Sequence, residues 1–218
     1  MSIKNKHVKS EDRIAKFGEV FTNEKEVNAM IDLVGHEALR VDSRFLEPAC
    51  GEGFFLVLVL ERKIASFANR FKNFQKDFEI NLFISVSSIY GIEILPDNTI
   101  LCRENIFNKA ASEYIKFFPN TQNLDFLKSL KFVIDKNIVN GDSISMEDKS
   151  MENEAIKFSE WSLVKEDQVK RRIFQFNDLT AYQRSSSPDL FSDLGDEAFI
   201  PPVTKEYKPE SIYTLFKK

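Results

Sequence analysis

Cysteine is almost missing from this chain: Cys50 and Cys102 are its only two. Two residues so placed give no disulfide framework and no metal-ligand spacing. Histidine is as scarce, with only His7 and His36. No zinc or other metal site is expected, and each histidine reads as a surface residue. Long apolar runs are lacking too. The longest, Phe54 to Leu60, is far too short to span a bilayer. The N-terminus carries no apolar signal segment, so a cytoplasmic protein without membrane contact is expected. Positive charge is not in excess either. The net charge is -4, whereas a protein that grips DNA alone usually carries a basic surface. Basic residues cluster only locally, at Lys4, Lys6, Lys9, Arg13 and Lys16 and again at Lys170, Arg171 and Arg172. A solvated face accounts for each cluster.

What is present suits one sizeable α/β domain of 218 residues. The 21 phenylalanines point to an aromatic core. Val27, Met30, Ile31 and Val34 fall at helical spacing, with Thr22 or Asn23 as N-cap. Asn23 and Glu26 have the separation of a capping box, and Gly35 suits the helix end. A short strand and turn follow in "RFLEPACGEG", then a helix from Phe54 to about Phe67. Phe74, Phe78 and Leu82 mark another helix. "SSIYGIEIL" reads as a second strand ending near Glu93. Asp97 to Phe107 is expected helical with Ile100, Leu101 and Ile106 inward. A helix over about Leu124 to Asp135 leads into a third strand, "NIVNGDS". This alternation predicts a doubly wound, mostly parallel sheet. Beyond it, "AIKFSEWSLV" and "KRRIFQFNDL" flank the polar "KEDQV" and predict a β-hairpin, followed by a loop-rich tail. One domain is expected over 1–218: an N-terminal segment to 36, a core over 37–145 and a divergent part over 146–218.

The stretch "FLEPACGEGFFL" (45–56) is where chemistry is to be sought. Glycine lets the backbone turn sharply toward a ligand, and N–H groups at the next helix start can hold an anion. A tight strand–helix turn needs glycine anyway, so on this feature alone the functional and structural readings stand level. Glu93 adds weight, because a carboxylate at the end of the next strand is placed to accept bonds from both ribose hydroxyls. Asp142 ends the third strand; alone, it would be a turn aspartate. Three strand ends thus carry Glu47, Glu93 and Asp142, each with a glycine nearby. A pyrophosphate would not welcome so many carboxylates. A cationic cofactor with an amino group and a ribose would, and S-adenosyl-L-methionine is one.

With these residues in view, the chain resembles the adenine-specific DNA methyltransferases of restriction–modification systems. "KFGEVFTNEKEV" looks like their motif X, "FLEPACGEGFFL" like motif I, "GIEI" like motif II and "NGDS" like the turn of motif III, over about Lys16 to Ser143. The resemblance implies a methyltransferase-type fold and an S-adenosyl-L-methionine site. Phe17, Gly18, Phe21 and Thr22 would close over the methionine end, Thr22 near its carboxylate. Glu47, Pro48, Ala49, Cys50, Gly51, Gly53 and Phe54 would line the methionine and ribose. Glu93 would bind the ribose hydroxyls and Ile94 would pack beside the adenine. Asp142, with Ser143, would meet the adenine amino group. Asn23 stands where proline is common in the family, and both residues suit a helix start.

The family's catalytic motif IV is missing. It pairs Asn, Asp or Ser with two prolines and an aromatic, so that a flipped base stacks while its amino group is polarised. "IPPV" (200–203) lacks the polar residue and the aromatic. Ser159, Glu160 and Trp161 offer both, with one residue too few between them, and a core tryptophan is the plainer reading of Trp161. About 75 residues follow Ser143, too few for a target-recognition domain. The expectation is therefore a methyltransferase subunit acting on adenine in DNA, with target recognition on a partner. An inactive module of the same fold and a methyltransferase for RNA or protein remain as alternatives.

Overall fold

The computed structural model describes residues 23–152, 154–185 and 201–217. Its first element is helix α1, Glu24–Leu33, and the capping box forms as expected. Asn23 Oδ1 accepts from Lys25 N–H at 3.1 Å and Glu26 Oε2 accepts from Asn23 N–H at 3.4 Å. Val27 and Ile31 are buried, but Met30 and Val34 lie open, so the apolar stripe is narrower than its spacing suggests. Gly35, at φ +53°, ends the helix in the left-handed region and starts a 3-10 turn, Gly35–Leu39.

The core is a layer of helices on a mixed sheet. Strand β1, Phe45–Glu47, leads to α2, Phe54–Phe71, and α3, Gln75–Ser87. Strand β2, Ile89–Glu93, leads to α4, Pro96–Phe117, and α5, Leu124–Asn137, then to β3, Ile138–Asp142. β1 pairs parallel with β2, and β2 with β3. Two short antiparallel strands, β4 (Glu147–Asp148) and β5 (Glu154–Ala155), extend the sheet beyond β3. The five-stranded order is β1-β2-β3-β4-β5.

Sequential parallel strands joined by right-handed crossovers place their helices on one face. Ile89 and Ile138 accordingly pack with Leu60, Leu82, Ile106 and Leu130 from the four long helices. Tyr90, Ile92 and Val139 face the other way, onto Ile156, Phe158 and Phe176. Among the described residues the strand order never reverses, so the expected double winding is not seen; the parallel part of the sheet is wound on one side.

The C-terminal part forms its own antiparallel sheet instead of adding a fourth strand to the first. β6 (Lys157–Lys165) and β7 (Gln168–Gln175) make the expected hairpin, with β8 (Lys205–Glu206) and β9 (Glu210–Ser211) both on β7. Its turn is Glu166–Asp167, not the five residues of "KEDQV", because Lys165 pairs with Gln168. Ser211 Oγ donates to the Asp167 carboxylate and Ile212 N–H to Asp167 O at 2.9 Å, a clamp from 44 residues away. Phe176 opens helix α6, Phe176–Ser185, where the sequence pattern predicts that the strand continues. Helix α4 also departs from expectation. It runs to Phe117, before the Phe118–Pro119 pair that disfavours helix. Its buried stripe is Cys102, Ile106, Ala110 and Tyr114, at i+4 spacing, while Ile100 and Leu101 lie outward.

Two buried polar groups tie the layer together. Glu79 Oε2 accepts from Tyr213 Oη at 2.6 Å, and the Tyr114 hydroxyl donates to Oε1. This docks the C-terminal 3-10 turn, Leu215–Lys217, on the helices. Lys63, fully buried, donates to the carbonyls of Arg40, Val41 and Ser43 and to Ser88 Oγ. It thereby anchors the loop entering β1. Burial pushes its pKa down to about 8, so it is still an ammonium at neutral pH. Lys63→Met keeps the stem but leaves three carbonyls without this donor. It should lower unfolding free energy by about 3 kcal/mol, read by urea denaturation.

Candidate functional site

Glu47, Glu93 and Asp142 are the last residues of β1, β2 and β3. The register pairs Glu47 with Gly91 and Glu93 with Asn140. By strand parity all three carboxylates therefore belong to the helix-bearing face. Each stands two residues, about 7 Å along the strand, beyond the one before. The result is a staircase of acids rising across the parallel edge.

The glycine turn sits on its middle step. Cys50 N–H donates to Ile92 O at 3.0 Å and Gly53 N–H to Cys50 O at 2.8 Å. Gly51 and Gly53 have φ of +53° and +84°, where a Cβ is disfavoured. At Gly53 a Cβ would also come within 2.6 Å of Cys102 Sγ, whereas at Gly51 it would meet nothing. The turn delivers the chain to α2, which begins with no side-chain cap and no acid in its first turn.

Glu93 is only 7% exposed. Its Oε2 accepts from Gly51 N–H at 2.8 Å and its Oε1 from Leu95 N–H at 2.9 Å. One carboxylate thus joins the turn after β1 to the turn after β2. Glu47 Oε1 accepts from Ala49 N–H at 3.3 Å. Pro48 and Ala49 are exposed, Cys50 is buried and Gly51 half-buried. The neighbouring Cys102 thiol, together with burial, pushes the Cys50 thiol strongly upward, so it is an inert packing residue. Phe54 and Ile94, at 44% and 49% exposure, are open apolar side chains on the two turns that Glu93 joins.

Asp142 stands apart. Its Oδ1 accepts from Ile144 N–H at 2.9 Å and Ser145 N–H at 3.3 Å. These bonds hold its pKa below the usual carboxylate range and shape the turn that follows, at half-buried Ser143. No hydrogen bond links it to Glu93 or the glycine turn among the described residues. Phe17, Gly18, Phe21 and Thr22 lie outside the described residues.

Two supports escaped the sequence reading. Asn140 Nδ2 donates to Glu93 O at 2.9 Å and Ile94 O at 3.1 Å, and Asn105 Nδ2 donates to Glu52 O at 2.9 Å. The one sequence signal for Asn140 is its place before Gly141 within "NGD". Ser159 and Trp161, considered as a substitute for motif IV, are not at this site. Trp161 Nε1 donates to Asn137 Oδ1 at 3.0 Å, and Asn137 Nδ2 donates to Ser87 O and Ile89 O. That is the start of β2, four residues or about 13 Å from Glu93. Ser159 is buried, with its carbonyl accepting from Tyr90 Oη at 3.0 Å.

Among the described residues no group of three or more His, Cys, Asp or Glu could hold a metal ion, and no helix is long and apolar enough to cross a membrane. No protein-family model, curated protein or solved structure matches the chain.

The two glycines are separable by substitution. Gly51→Ala meets only the conformational penalty and should cost about 1 kcal/mol. Gly53→Ala adds the Cys102 clash and should cost about 3 kcal/mol. Thermal unfolding of the two variants side by side checks the order; equal losses would contradict it.

Proposed function

We propose that this chain is an S-adenosyl-L-methionine-binding, methyltransferase-like subunit of a DNA restriction–modification system, methylating adenine with a partner. The observation that carries the reading is the row of strand-end carboxylates, with the glycine turn hydrogen-bonded to Glu93. In this reading Glu93 holds the ribose hydroxyls, and each of its oxygens keeps a lone pair beyond the bonds described. Glu47 faces the cationic methionine end and the open start of α2 receives its carboxylate. Phe54 and Ile94 cover apolar parts of the cofactor. Asp142 accepts from the adenine amino group. Phe17, Gly18, Phe21 and Thr22 complete the methionine side, and Ser143 the adenine side. The cofactor supplies an activated methyl group; the residues here bind and orient it. A base-flipping pocket with a polar residue, two prolines and an aromatic would come from the partner, since this sequence contains no such motif.

A second reading, a non-catalytic module of the same fold, draws on Glu93 itself. Both of its oxygens already serve the fold, so the carboxylate has a structural reason to be there without any ligand.

Calorimetric titration of S-adenosyl-L-methionine into wild type and Glu93→Gln tests the cofactor site. Saturable binding is expected in wild type, weakened about tenfold in the variant. No binding in wild type would remove the cofactor from the reading. Methyl transfer to adenine-containing DNA is then assayed for this chain mixed with the products of adjacent genes. Binding without transfer in any mixture would decide for the second reading.

A further inference from the structure

Strand β1 has an open outer edge. Phe45 N–H donates to Ser88 O at 3.0 Å, so in the parallel ladder Phe45 and Glu47 turn their main-chain groups toward β2. Leu46, and by the same parity Arg44, turn theirs outward. Among the described residues no strand pairs with β1 on that side, and no hydrogen bond reaches Leu46 N–H or O there. The other edge of the sheet is different. β5 is two residues long and carries the Glu154–Lys157 ion pair, a charged ending that discourages pairing. β1 has no lysine, proline or bulge.

Helix α1 and the 3-10 turn stand on the same flank. α2 packs against α4 on one side and against α1 and the turn on the other. There Val27, Ile31 and Ala38 meet Val59 and, from β1, Phe45. Because α4 lies toward β3, α1 lies outside β1. Met30, Leu33, Val34 and Leu39 are left open on it, with Leu46 on the strand itself, all between 42% and 87% exposed. Single exposed apolar residues are ordinary, but five of them beside an open strand edge mark an interaction surface. The charges of this flank are satisfied within the chain: Asp32 by Arg62, Glu37 and Asp42 by Arg40, and Arg44 by Glu160. Such a face offers no open row of cations to a nucleic-acid backbone. Two identical copies of it do not repel one another.

We propose that the flank formed by α1, the 3-10 turn and β1 binds a second copy of this chain, with the two β1 strands antiparallel about a two-fold axis. The sequence selects the register. Leu46 opposite Leu46 sets Arg44 against Pro48, which has no N–H to give, and closes two bonds. Arg44 opposite Leu46 of the second copy, in both directions, closes four and joins the two sheets. The same axis brings the two α1 helices to one side of the joined sheet. An isologous contact of this kind closes at two copies. With three residues in the strand the interface is small, and association is weak, with Kd on the order of 10 μM. The surface does not depend on what the strand-end carboxylates bind. The proposed function places a partner's strands on this flank, so the dimer is the state of the chain without that partner.

Sedimentation velocity of the full chain from about 1 to 200 μM reads the equilibrium, and hydrogen exchange at the Leu46 amide reads the strand pairing. The chain should pass from monomer to dimer as concentration rises. The Leu46 amide should exchange about tenfold more slowly at the dimer end. Leu33→Lys and Leu39→Lys replace open side chains outside the core and should each weaken the dimer about tenfold. Ile144→Lys, on the turn after β3 and 91% exposed, should leave it unchanged. A monomer throughout the range would overturn the proposal and leave the flank to a different protein. So would a dimer indifferent to both lysines, one equally lost in Ile144→Lys, growth beyond two copies, or a dimer whose Leu46 amide exchanges as in the monomer. The concentration series and the Leu46 exchange are read on wild-type protein and stand even if a lysine variant fails to fold.

Discussion

The Glu93 carboxylate is the joint on which the carboxylate edge of this molecule depends. Its two oxygens hold Gly51 N–H and Leu95 N–H, so two loops from different crossovers end at one side chain. Each bond is charge-assisted and therefore stronger than an ordinary backbone bond, on the order of 1.5–3 kcal/mol net. Asn140 then fixes the carbonyls of Glu93 and Ile94 from the third strand. The starts of α2 and α4 are thereby referred to a common point. With Asn105 Nδ2 on Glu52 O, that carboxylate is one of two side-chain bonds that hold the turn carrying the positive φ angles of Gly51 and Gly53.

The same economy creates the central tension in the functional reading. A ligand carboxylate must be available, and a structural carboxylate must be engaged. Glu93 is engaged twice and little exposed, yet each oxygen can accept more than one donor. Hydroxyl donors would add to the existing bonds instead of displacing them. Preorganisation favours such a site, because the side chain is already immobile and loses little entropy on binding. Asp142 is held likewise by two backbone donors. The acids that the proposed function assigns to the ribose and the adenine are thus both fixed before any ligand arrives.

Much of this was legible locally. The Asn23–Glu26 box, the strand ending at Glu93 and the glycine turn depend on neighbours within a few residues. What was not legible depends on distant partners. Lys63 looks like any helix lysine, and only the fold brings it three carbonyls from 20 to 23 positions away. Asn105 and Asn140 work through side-chain amides on remote backbone, which leaves no periodic trace. The two-residue hairpin turn at Glu166–Asp167 is fixed by Ser211 and Ile212, far along the chain. The inward face of α4 was misjudged because its i+4 stripe extends past the stretch read as helix. The β6–β7 pair was recognised as a hairpin, but nothing in its pattern tells which sheet it joins.

The strand order places a geometric condition on the proposed function. Among the described residues β1 pairs only with β2, so the glycine turn lies beside a sheet edge and not in its middle. Open α/β sheets bind ligands where the order of strands reverses, and a reversal beside β1 would need further strands on that side. In the proposed function those strands, and the pocket for the target base, fall to the partner. The other pole is closed to that role: Trp161 and Arg171 are about four strand residues or more below Glu93 (~13 Å), on a sheet that covers the opposite end of β2. A base stacked there could not reach a methyl group held at the strand ends. In the proposed function, chemistry on a base is therefore completed from the β1 side.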